Sequence, residues 1–214
     1  MCLDLKIFED ERRGYYNVSY SAIPEEVSIK MRAVAKFEKV HFSQYVLDFI
    51  ETFGEDDKKS IEEYYDSIVT PRRATRGSAG YDFFSPIDFE LQPNETIKIP
   101  TGIRCKIDDG YVLELYPRSS HGFKYRLRLD NTVGIIDSDY YNAKNEGHIF
   151  VKITNLGDKP LAVNQGDGFC QGIFKEFFIT YDDNTTVART GGLGSTTNQT
   201  ANGKNMFKRN TRRY

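Results

Sequence analysis

From residue 75 to about residue 180, short β-prone runs alternate with turn residues, and this pattern limits the possible folds more than any other feature. The clearest runs are TIKIPTGIRCKI, YVLELYP, HIFVKITNLGD and GFCQGIFKEFFIT. Helical spacing of apolar residues is absent from this part of the chain. Many short strands bounded by glycine, proline, asparagine or aspartate predict an all-β barrel or sandwich.

The first 70 residues have a different pattern. In SQYVLDFIETFG, apolar residues at helical spacing predict a helix that begins after an N-cap at Ser43 and ends at Gly54. A second helix is predicted in SIEEYYDSIV, where Ser60 and Glu63 would form a capping box. Residues 31–40 are predicted to form a strand.

These patterns divide the chain into three parts. We expect an N-terminal extension with a strand and a helical insertion (1–70), a β core (71–187) and a C-terminal tail (188–214). The helices within 41–70 are expected to cover one end of the barrel, and a binding surface for another protein is the alternative. The tail is polar from about residue 198 and is expected to be mobile.

Composition and charge argue against several classes of protein. The 214 residues can bury one full core plus an appendage. A formal net charge of -2 creates no global field for nucleic acid or an anionic membrane, so neither partner is expected. The start, MCLDLKIFEDERRG, lacks the apolar run of a signal peptide, and no window reaches membrane-spanning length. Scattered cysteines and histidines argue against a zinc site or a disulfide framework, so we expect a cytoplasmic protein.

Three stretches of the β region have residues that suit a ligand, each with a plainer alternative. GSAGYDFFS places small residues before Asp82, which suits a tight turn approached by a ligand, or a plain β-turn. YPRSSHG offers Arg118, two hydroxyls and a glycine, which suits phosphate oxygens, or a solvated polar loop. TGGLGSTT follows Arg189 but lacks the lysine of a phosphate-binding P-loop, so by itself it favours a flexible linker.

A fourth stretch, NTVGIIDSDY, is more specific. Asp137 follows the apolar pair Ile135 and Ile136, so its carboxylate is expected at the edge of a low-dielectric region, where it can deprotonate a water. In a regular strand Asp139 would share the face of Asp137 and repel it. Either a turn separates the two acids or they share a cation, and Asp139 as a solvent-facing turn acid also stays open.

Five segments, AGYD, PRSSHG, NTVGIIDSDY, GDGFCQ and GGLGST, follow one another in an order and spacing that resemble the five motifs of the homotrimeric dUTPase family. The segment IPTGI at 99–103 matches another signature of that family. The resemblance runs from about residue 72 to residue 197. It implies a distorted jelly-roll or β-barrel subunit, with the helical insertion added, in a homotrimer with sites at subunit interfaces. It also implies Mg²⁺-dependent hydrolysis of dUTP to dUMP and pyrophosphate, which limits uracil in DNA and supplies dUMP.

The resemblance implies roles for individual residues in catalysis and in base and sugar recognition. Asp137 would be the general base that activates water for attack on the α-phosphorus. Asn131 would read the uracil edge within a hairpin that includes Gly134 and closes around the base. Tyr140 would pack beneath the deoxyribose and leave no space for a 2'-hydroxyl.

The resemblance also assigns the phosphates and the metal ion. The phosphate-binding set would be Arg118, Ser119, Ser120, Gly122 and Gln171. Asp82 would contact Mg²⁺ only through a water molecule. The lid that folds over the nucleotide from a neighbouring subunit would contain Arg189, Leu193, Gly194 and Ser195.

The chain departs from the family pattern at several positions. Leu193 stands where the family usually has phenylalanine, which removes a stacking contact with the base. Arg189 lies one residue closer to its glycine pair than in the commonest pattern, and Gly168 replaces a common basic residue. The segment YYNAKNEGH is longer than usual, so we expect a protruding loop there.

Two other functions stay open on the sequence. The dCTP deaminases share the fold and a similar RSS motif, but their alanine-arginine pair and catalytic glutamate have no counterpart in HGFK and HIFVKIT. The other hypothesis is a non-catalytic binding module, in which residues 41–70 or the basic tail contact a protein or nucleic acid.

Overall fold

The computed structural model describes residues 6–10, 15–19 and 32–187. Outside the described residues lie the predicted lid residues Arg189, Leu193, Gly194 and Ser195 and the predicted mobile tail. Contacts divide the chain after Ala33 into two compact units. The predicted three-part division, with boundaries after residues 70 and 187, stays a prediction.

In the first unit, strands β1 (Lys6–Asp10) and β2 (Tyr15–Ser19) form an antiparallel pair that the sequence did not predict. The elements of the second unit are, in chain order, β3 (Ala35–Lys39), α1 (Phe42–Phe53), α2 (Lys58–Ser67), β4 (Tyr81–Phe84), β5 (Phe89–Leu91), β6 (Thr96–Pro100), β7 (Ile103–Ile107), β8 (Tyr111–Pro117), α3 (Ser119–Tyr125), β9 (Leu127–Leu129), β10 (Gly134–Ile136), a 3₁₀ helix (Ser138–Asn142), β11 (Phe150–Asn155), β12 (Leu161–Val163) and β13 (Gly168–Glu176). Short antiparallel strands dominate, which confirms the predicted all-β, jelly-roll-like fold with a small helical insertion.

A four-stranded antiparallel sheet in the order β10-β8-β13-β4 carries most of the predicted site segments. Along β8, Leu113 and Leu115 are buried, whereas Glu114 and Tyr116 are partly exposed. This alternation is typical of a strand with one face on the core. The other sheets of this unit are β6-β11-β9, β12-β5 and β3-β7. Because β10 and β4 are the edge strands, the segments that contain them lie at opposite edges of the four-stranded sheet.

Both predicted helices are present, but both predicted N-caps are wrong. Helix α1 begins after His41, which makes no side-chain capping bond, and ends at Gly54, whose φ of 71° confirms the predicted stop. Helix α2 is capped by Asp57, whose carboxylate accepts a hydrogen bond from the Lys59 amide. The Ser60 hydroxyl also donates a hydrogen bond to the Asp57 carboxylate, at 2.6 Å, because a carboxylate is a stronger acceptor than a hydroxyl. Ser60 therefore lies inside the helix and does not cap it.

The helical insertion packs on the β core, in agreement with the predicted covering role. Tyr45, Phe49 and Ile61 are fully buried and belong to the same cluster as the strand residues. Burial of side chains such as Phe49 and Ile61 stabilises the fold by roughly 1.5–3 kcal/mol each. None of the helices in the described part of the chain has the length and apolar character needed to span a bilayer.

Several strand boundaries differ from the predictions. Of the strand predicted over 31–40, the structure has Ala35–Lys39, which pairs with β7 over its whole length. The run TIKIPTGIRCKI is two strands, because the chain turns at Gly102 with a φ of 71°. Strand β13 ends at Glu176 and does not continue to residue 180, because its partner β8 begins at Tyr111, opposite Glu176.

The segment YYNAKNEGH folds back onto the protein, so the predicted protruding loop is wrong. Ala143 and His148 are buried, with exposed fractions of 5% and 0%. The reason is a contact across the fold, since the His148 imidazole lies 2.6 Å from the Asp48 carboxylate of α1. The 3₁₀ helix follows Asp137 and contains Asp139, so a turn separates these two acids.

Candidate active site

A cavity of about 450 Å³ lies where β4, β13 and the C-terminal end of β8 meet. Its lining residues are Ala74, Ser78, Ala79, Gly80, Asp82, Arg118, Ser119, Ser120, Gln171 and Ile173. Three of the predicted segments, GSAGYDFFS, YPRSSHG and GDGFCQ, therefore meet around one space. The register of the sheet explains the meeting, because Gln171 lies opposite Asp82 on one side and Tyr116 on the other.

Arg118 is held in place by two charge-assisted contacts. Its Nε lies 3.1 Å from Oδ1 of Asp82, and its Nη1 donates to the Gly168 carbonyl oxygen at 2.9 Å. A Cβ atom at Gly168 would lie 2.7 Å from Nη1, so a larger residue there would displace the guanidinium. The glycine that replaces a common basic residue in this motif thus makes space for Arg118. The guanidinium is partly exposed and can bind an anion in the cavity.

Gln171 and Gly80 form another close contact in the same wall. The Gln171 Nε2 donates to the Pro117 carbonyl oxygen at 3.0 Å, which fixes the orientation of the side-chain amide. A Cβ atom at Gly80 would lie 2.5 Å from Oε1 of Gln171. A side chain at position 80 would therefore have to displace the Gln171 amide from this orientation.

The YPRSSHG segment is a strand end followed by α3 and is not the polar loop weighed as an alternative. Ser119 and Ser120 begin the helix, line the cavity and are exposed. Gly122 does not line the cavity, and its amide donates to the Arg118 carbonyl oxygen at 2.9 Å. Burial and the neighbouring Arg118 lower the pKa of His121, which favours the neutral form of its imidazole.

A second, smaller cavity of about 50 Å³ lies on the other side of the four-stranded sheet. Its lining residues are Leu115, Leu129, Asn131, Gly134, Ile135, Ile136, Tyr140, Phe150, Val151 and Lys152. The predicted base-reading and sugar-packing residues Asn131, Gly134 and Tyr140 are thus brought together.

The hairpin between β9 and β10 has a tight geometry. Thr132 has a φ of 66°, a left-handed conformation that β-branched residues rarely adopt. Its amide donates to the Leu129 carbonyl oxygen at 2.9 Å, which closes the turn and leaves Asn131 exposed at its tip. At Gly134 a Cβ atom would lie 3.0 Å from the Cβ of Leu115, so a side chain there would crowd β8.

Asp137 is the next residue in the chain after a residue that lines the smaller cavity. Ile136 lines that cavity and is 8% exposed, and Asp137 is the exposed residue that precedes the 3₁₀ helix. Ile135, however, is 53% exposed, so only one residue of the apolar pair contributes to the low-dielectric region expected before Asp137. Neighbouring strand residues face opposite ways, and only Ile136 faces the core. Tyr140 is 3% exposed, and its Oη donates to the His148 carbonyl oxygen at 2.7 Å.

The two cavities share no lining residue, and the sheet register keeps Asp137 far from Arg118 within one chain. Three strand spacings of about 4.8 Å place the β10 edge roughly 14 Å from β4. Along the strands, the pairs Gln171–Tyr116 and Ile136–Leu113 place Asp137 level with Val112. This level is about four residues, or roughly 13 Å, from that of Asp82, and about six residues, or roughly 20 Å, from that of Arg118. One chain therefore does not bring Asp137 and Arg118 to one substrate-sized space.

Several lining residues were not identified from the sequence. Ile173 follows Gln171 at the strand period of two, and this alternation could have predicted its position on the same face. Phe150 and Lys152 come from β11, and no local signal connects that strand with Asn131. Within the described ranges, no group of three or more acidic, histidine or cysteine side chains could hold a metal ion.

Comparisons with known proteins point to one family. Residues 66–197 match the family model described as dUTPase. The deoxyuridine 5'-triphosphate nucleotidohydrolase of Lactococcus lactis is 41% identical over 132 residues, which are 60% of this chain and 88% of the relative. The enzyme of the same name from Haemophilus influenzae is 40% identical over 132 residues, 58% of this chain and 84% of the relative. A crystal structure of dUTPase from Streptococcus mutans, 36% identical, aligns with a TM-score of 0.48 over 54% of this chain and 90% of that chain.

Proposed function

The chain belongs to the dUTPase family and hydrolyses dUTP to dUMP, and we propose that Asp137 activates the water that attacks the α-phosphorus. In this step the water oxygen bonds to the α-phosphorus while a proton passes to the Asp137 carboxylate. The bond from the α-phosphorus to the bridging oxygen breaks, and pyrophosphate leaves. The exposed position of Asp137 beside the cavity lined by Asn131 and Tyr140 supports this role. General-base assistance of this kind typically contributes ~10²- to 10⁴-fold.

We propose that the larger cavity binds the triphosphate. Arg118 supplies charge, Ser119 and Ser120 supply hydroxyl donors, and Gln171 contacts the α-phosphate. The convergence of these side chains on a space of about 450 Å³ supports this assignment. The amide of Gly122 already donates a hydrogen bond within the helix. Gly122 therefore contributes to phosphate binding by forming part of the first turn of α3.

Recognition of the base and sugar is assigned to the smaller cavity. The side-chain amide of Asn131 has both a donor and an acceptor for the uracil edge, and Gly134 leaves space beside it. Cytosine exchanges one donor for an acceptor at that edge and would leave polar groups unpaired. The buried ring of Tyr140 forms a wall that suits a deoxyribose, and a 2'-hydroxyl would have no space against it.

Magnesium fits this site as an ion that comes with the nucleotide. The described residues offer no group of three acidic, histidine or cysteine ligands, and the carboxylate of Asp82 lies against Arg118. Mg²⁺ usually keeps several waters and binds through phosphates and one or two carboxylates, so Asp82 would contact it through water. The bound ion would neutralise charge on the triphosphate. The lid residues Arg189, Leu193, Gly194 and Ser195 remain a proposal outside the described part of the chain.

We also propose that the enzyme is a homotrimer with sites at subunit interfaces. Ligand pockets usually measure roughly 300–1,000 Å³, so a space of about 50 Å³ needs further walls. The separation of Asp137 from Arg118 within one chain supports the same conclusion. Phe178 and Ile179, which follow β13, are 86% and 71% exposed and would be covered by a neighbouring copy.

A complementation experiment tests the shared site. Arg118→Ala and Asp137→Asn chains, each nearly inactive alone, are unfolded, mixed in equal amounts and refolded together. If each site takes Asp137 from one copy and Arg118 from the next, random mixing restores roughly a quarter of the wild-type sites. Asp137→Asn mixed with Asp137→Ala is the matched control and stays inactive. A mixture of the first pair that stays inactive would refute the shared site.

The substrate specificity has its own test. Purified protein with Mg²⁺ should release pyrophosphate from dUTP and not from dCTP or dTTP, whereas ammonia from dCTP would support the deaminase alternative.

We propose a cytoplasmic location because the described cysteines Cys105 and Cys170 are buried free thiols, which suit a reducing compartment. A protein partner for residues 41–70 also remains a proposal, and a pull-down with the insertion deleted would test it.

A further inference from the structure

We propose that Asp48 and His148 are positioning residues through which the helical insertion sets the sugar wall of the active site. This inference rests on the proposed role of Tyr140 beneath the deoxyribose. It gives helix α1 a function in substrate selection beyond its covering of the core. The chain of contacts runs from α1 through His148 to Tyr140 and Phe150.

The first contact is a buried, charge-assisted hydrogen bond between α1 and the segment before β11. Asp48 is 7% exposed and His148 is 0% exposed, and Oδ2 of Asp48 lies 2.6 Å from Nδ1 of His148. The same Oδ2 accepts from Nε2 of Gln44 at 2.9 Å. A buried carboxylate is costly unless it is paired, so the side chain of Asp48 depends on these two partners.

The second contact fixes the orientation of the imidazole. The Gly102 amide donates to Nε2 of His148 at 2.7 Å, so Nε2 carries no proton and the ring donates from Nδ1 to Asp48. Gly102 can present its amide there because its φ is 71°, a conformation that glycine adopts without strain. His148 is thus bonded at both ring nitrogens and has one permitted orientation.

The third set of contacts reaches the cavity. The Tyr140 Oη donates to the His148 carbonyl oxygen at 2.7 Å, and Nδ2 of Asn145 donates to the same Oη at 2.8 Å. The His148 ring also packs on Phe150, with 4.7 Å between the ring centroids. Tyr140 and Phe150 both line the smaller cavity. Loss of Asp48 would therefore remove one of the two bonds that orient the His148 ring, which lies beside these two walls of the cavity.

The experiment compares Asp48→Ala with the conservative variant Asp48→Asn. We measure kcat and KM for dUTP and for UTP, and amide hydrogen exchange over residues 138–149. Asp48→Ala should lower the ratio of kcat/KM for dUTP over UTP about tenfold, mainly through KM, and should speed exchange in that segment. Asp48→Asn keeps an acceptor oxygen for Nδ1–H and should retain most of the discrimination.

Asp57→Ala is the matched control, because it removes the N-cap of α2 in the same insertion without contacting His148. It should leave the dUTP to UTP ratio unchanged. An equal loss of discrimination in Asp57→Ala, or an unchanged ratio in Asp48→Ala, would overturn the proposal. If Asp48→Ala does not fold, exchange in Asp48→Asn decides the question: the neutral amide oxygen is a weaker acceptor for Nδ1–H, so exchange over 138–149 should be modestly faster than in the wild type, and unchanged exchange would overturn the proposal. Failure of the proposed function would appear separately, as full turnover in Asp137→Asn, and the exchange measurement does not depend on turnover.

Discussion

The Nε of Arg118 lies 3.1 Å from Oδ1 of Asp82, so the strand end at Pro117 and the edge strand β4 present one guanidinium and one carboxylate to the same cavity. Neither sequence segment forms this pair alone, because 36 positions separate the residues in the chain. Strand β13 lies between their strands and brings them together. The pair orients the guanidinium, which then needs little rearrangement to bind a phosphate.

Replacing Arg118 by lysine should impair substrate binding although the charge is kept. Lysine lacks the planar fork that bonds Asp82 and the Gly168 carbonyl oxygen at once. Loss of a charge-assisted bond of about 1.5–3 kcal/mol predicts a roughly 10- to 100-fold lower kcat/KM for dUTP. Steady-state kinetics measure the effect, and wild-type kcat/KM in the lysine variant would refute the assigned role.

Replacing Asp137 by asparagine should lower kcat by ~10²- to 10⁴-fold, because the amide cannot accept the proton of the attacking water. The free energy of unfolding should change little, since Asp137 is exposed. Asp139→Asn is the control two positions away, also exposed, and should keep near-wild-type turnover. Pyrophosphate release and urea unfolding measure the two properties. Equal loss of activity in both variants would mean that the segment, and not the one carboxylate, is sensitive.

Replacing Gly102 by alanine should destabilise the fold more than the same change at Gly110. Both residues have positive φ, 71° and 84°, so both variants carry backbone strain. Only at Gly102 would the new Cβ overlap another atom, Cδ1 of Ile68, whereas nothing lies within 4 Å at Gly110. Overpacking of this kind costs typically 1–3 kcal/mol, which is the expected difference in unfolding free energy between the two variants. Urea denaturation measures it, and equal losses would argue against the close contact.

Acid should weaken the network around Glu38. The hydrogen bond from Lys36, followed by that from Tyr141, lowers the pKa of the Glu38 carboxyl from 4.5 to about 2. Because the folded pKa is the lower one, this stabilisation is present above pH 4.5 and is lost as the pH falls towards 2. Glu38→Gln should therefore show a shallower loss of unfolding free energy over that range than the wild type. Glu63→Gln, whose carboxylate is 70% exposed, is the control and should follow the wild-type curve.

Local patterns were enough to predict the elements that depend on neighbouring residues. The segment YVLELYP forms β8 as predicted, because the residues that alternate in burial are neighbours in the sequence. Gly54 ends α1 as predicted, because a left-handed C-cap favours glycine. The motif order also predicted that Asp82, Arg118 and Gln171 belong to one site, and the structure places them around one cavity.

Other features depend on pairing across the fold, which local patterns do not encode. The burial of the YYNAKNEGH segment follows from the contact of His148 with Asp48, 100 positions earlier. The end of β13 at Glu176 follows from the start of β8. The N-cap of α2 was mistaken because both Asp57 and Ser60 have capping side chains, and only the structure shows which one begins the helix.

The short outer strands of the four-stranded sheet have a consequence for the newly synthesised chain. Strands β10 and β4 have 3 and 4 residues, whereas the inner strands β8 and β13 have 7 and 9. An open strand edge can template ordered aggregation, and brevity limits the number of unpaired backbone groups on offer. The sheet therefore limits edge-to-edge self-association during the interval before a folded copy encounters others.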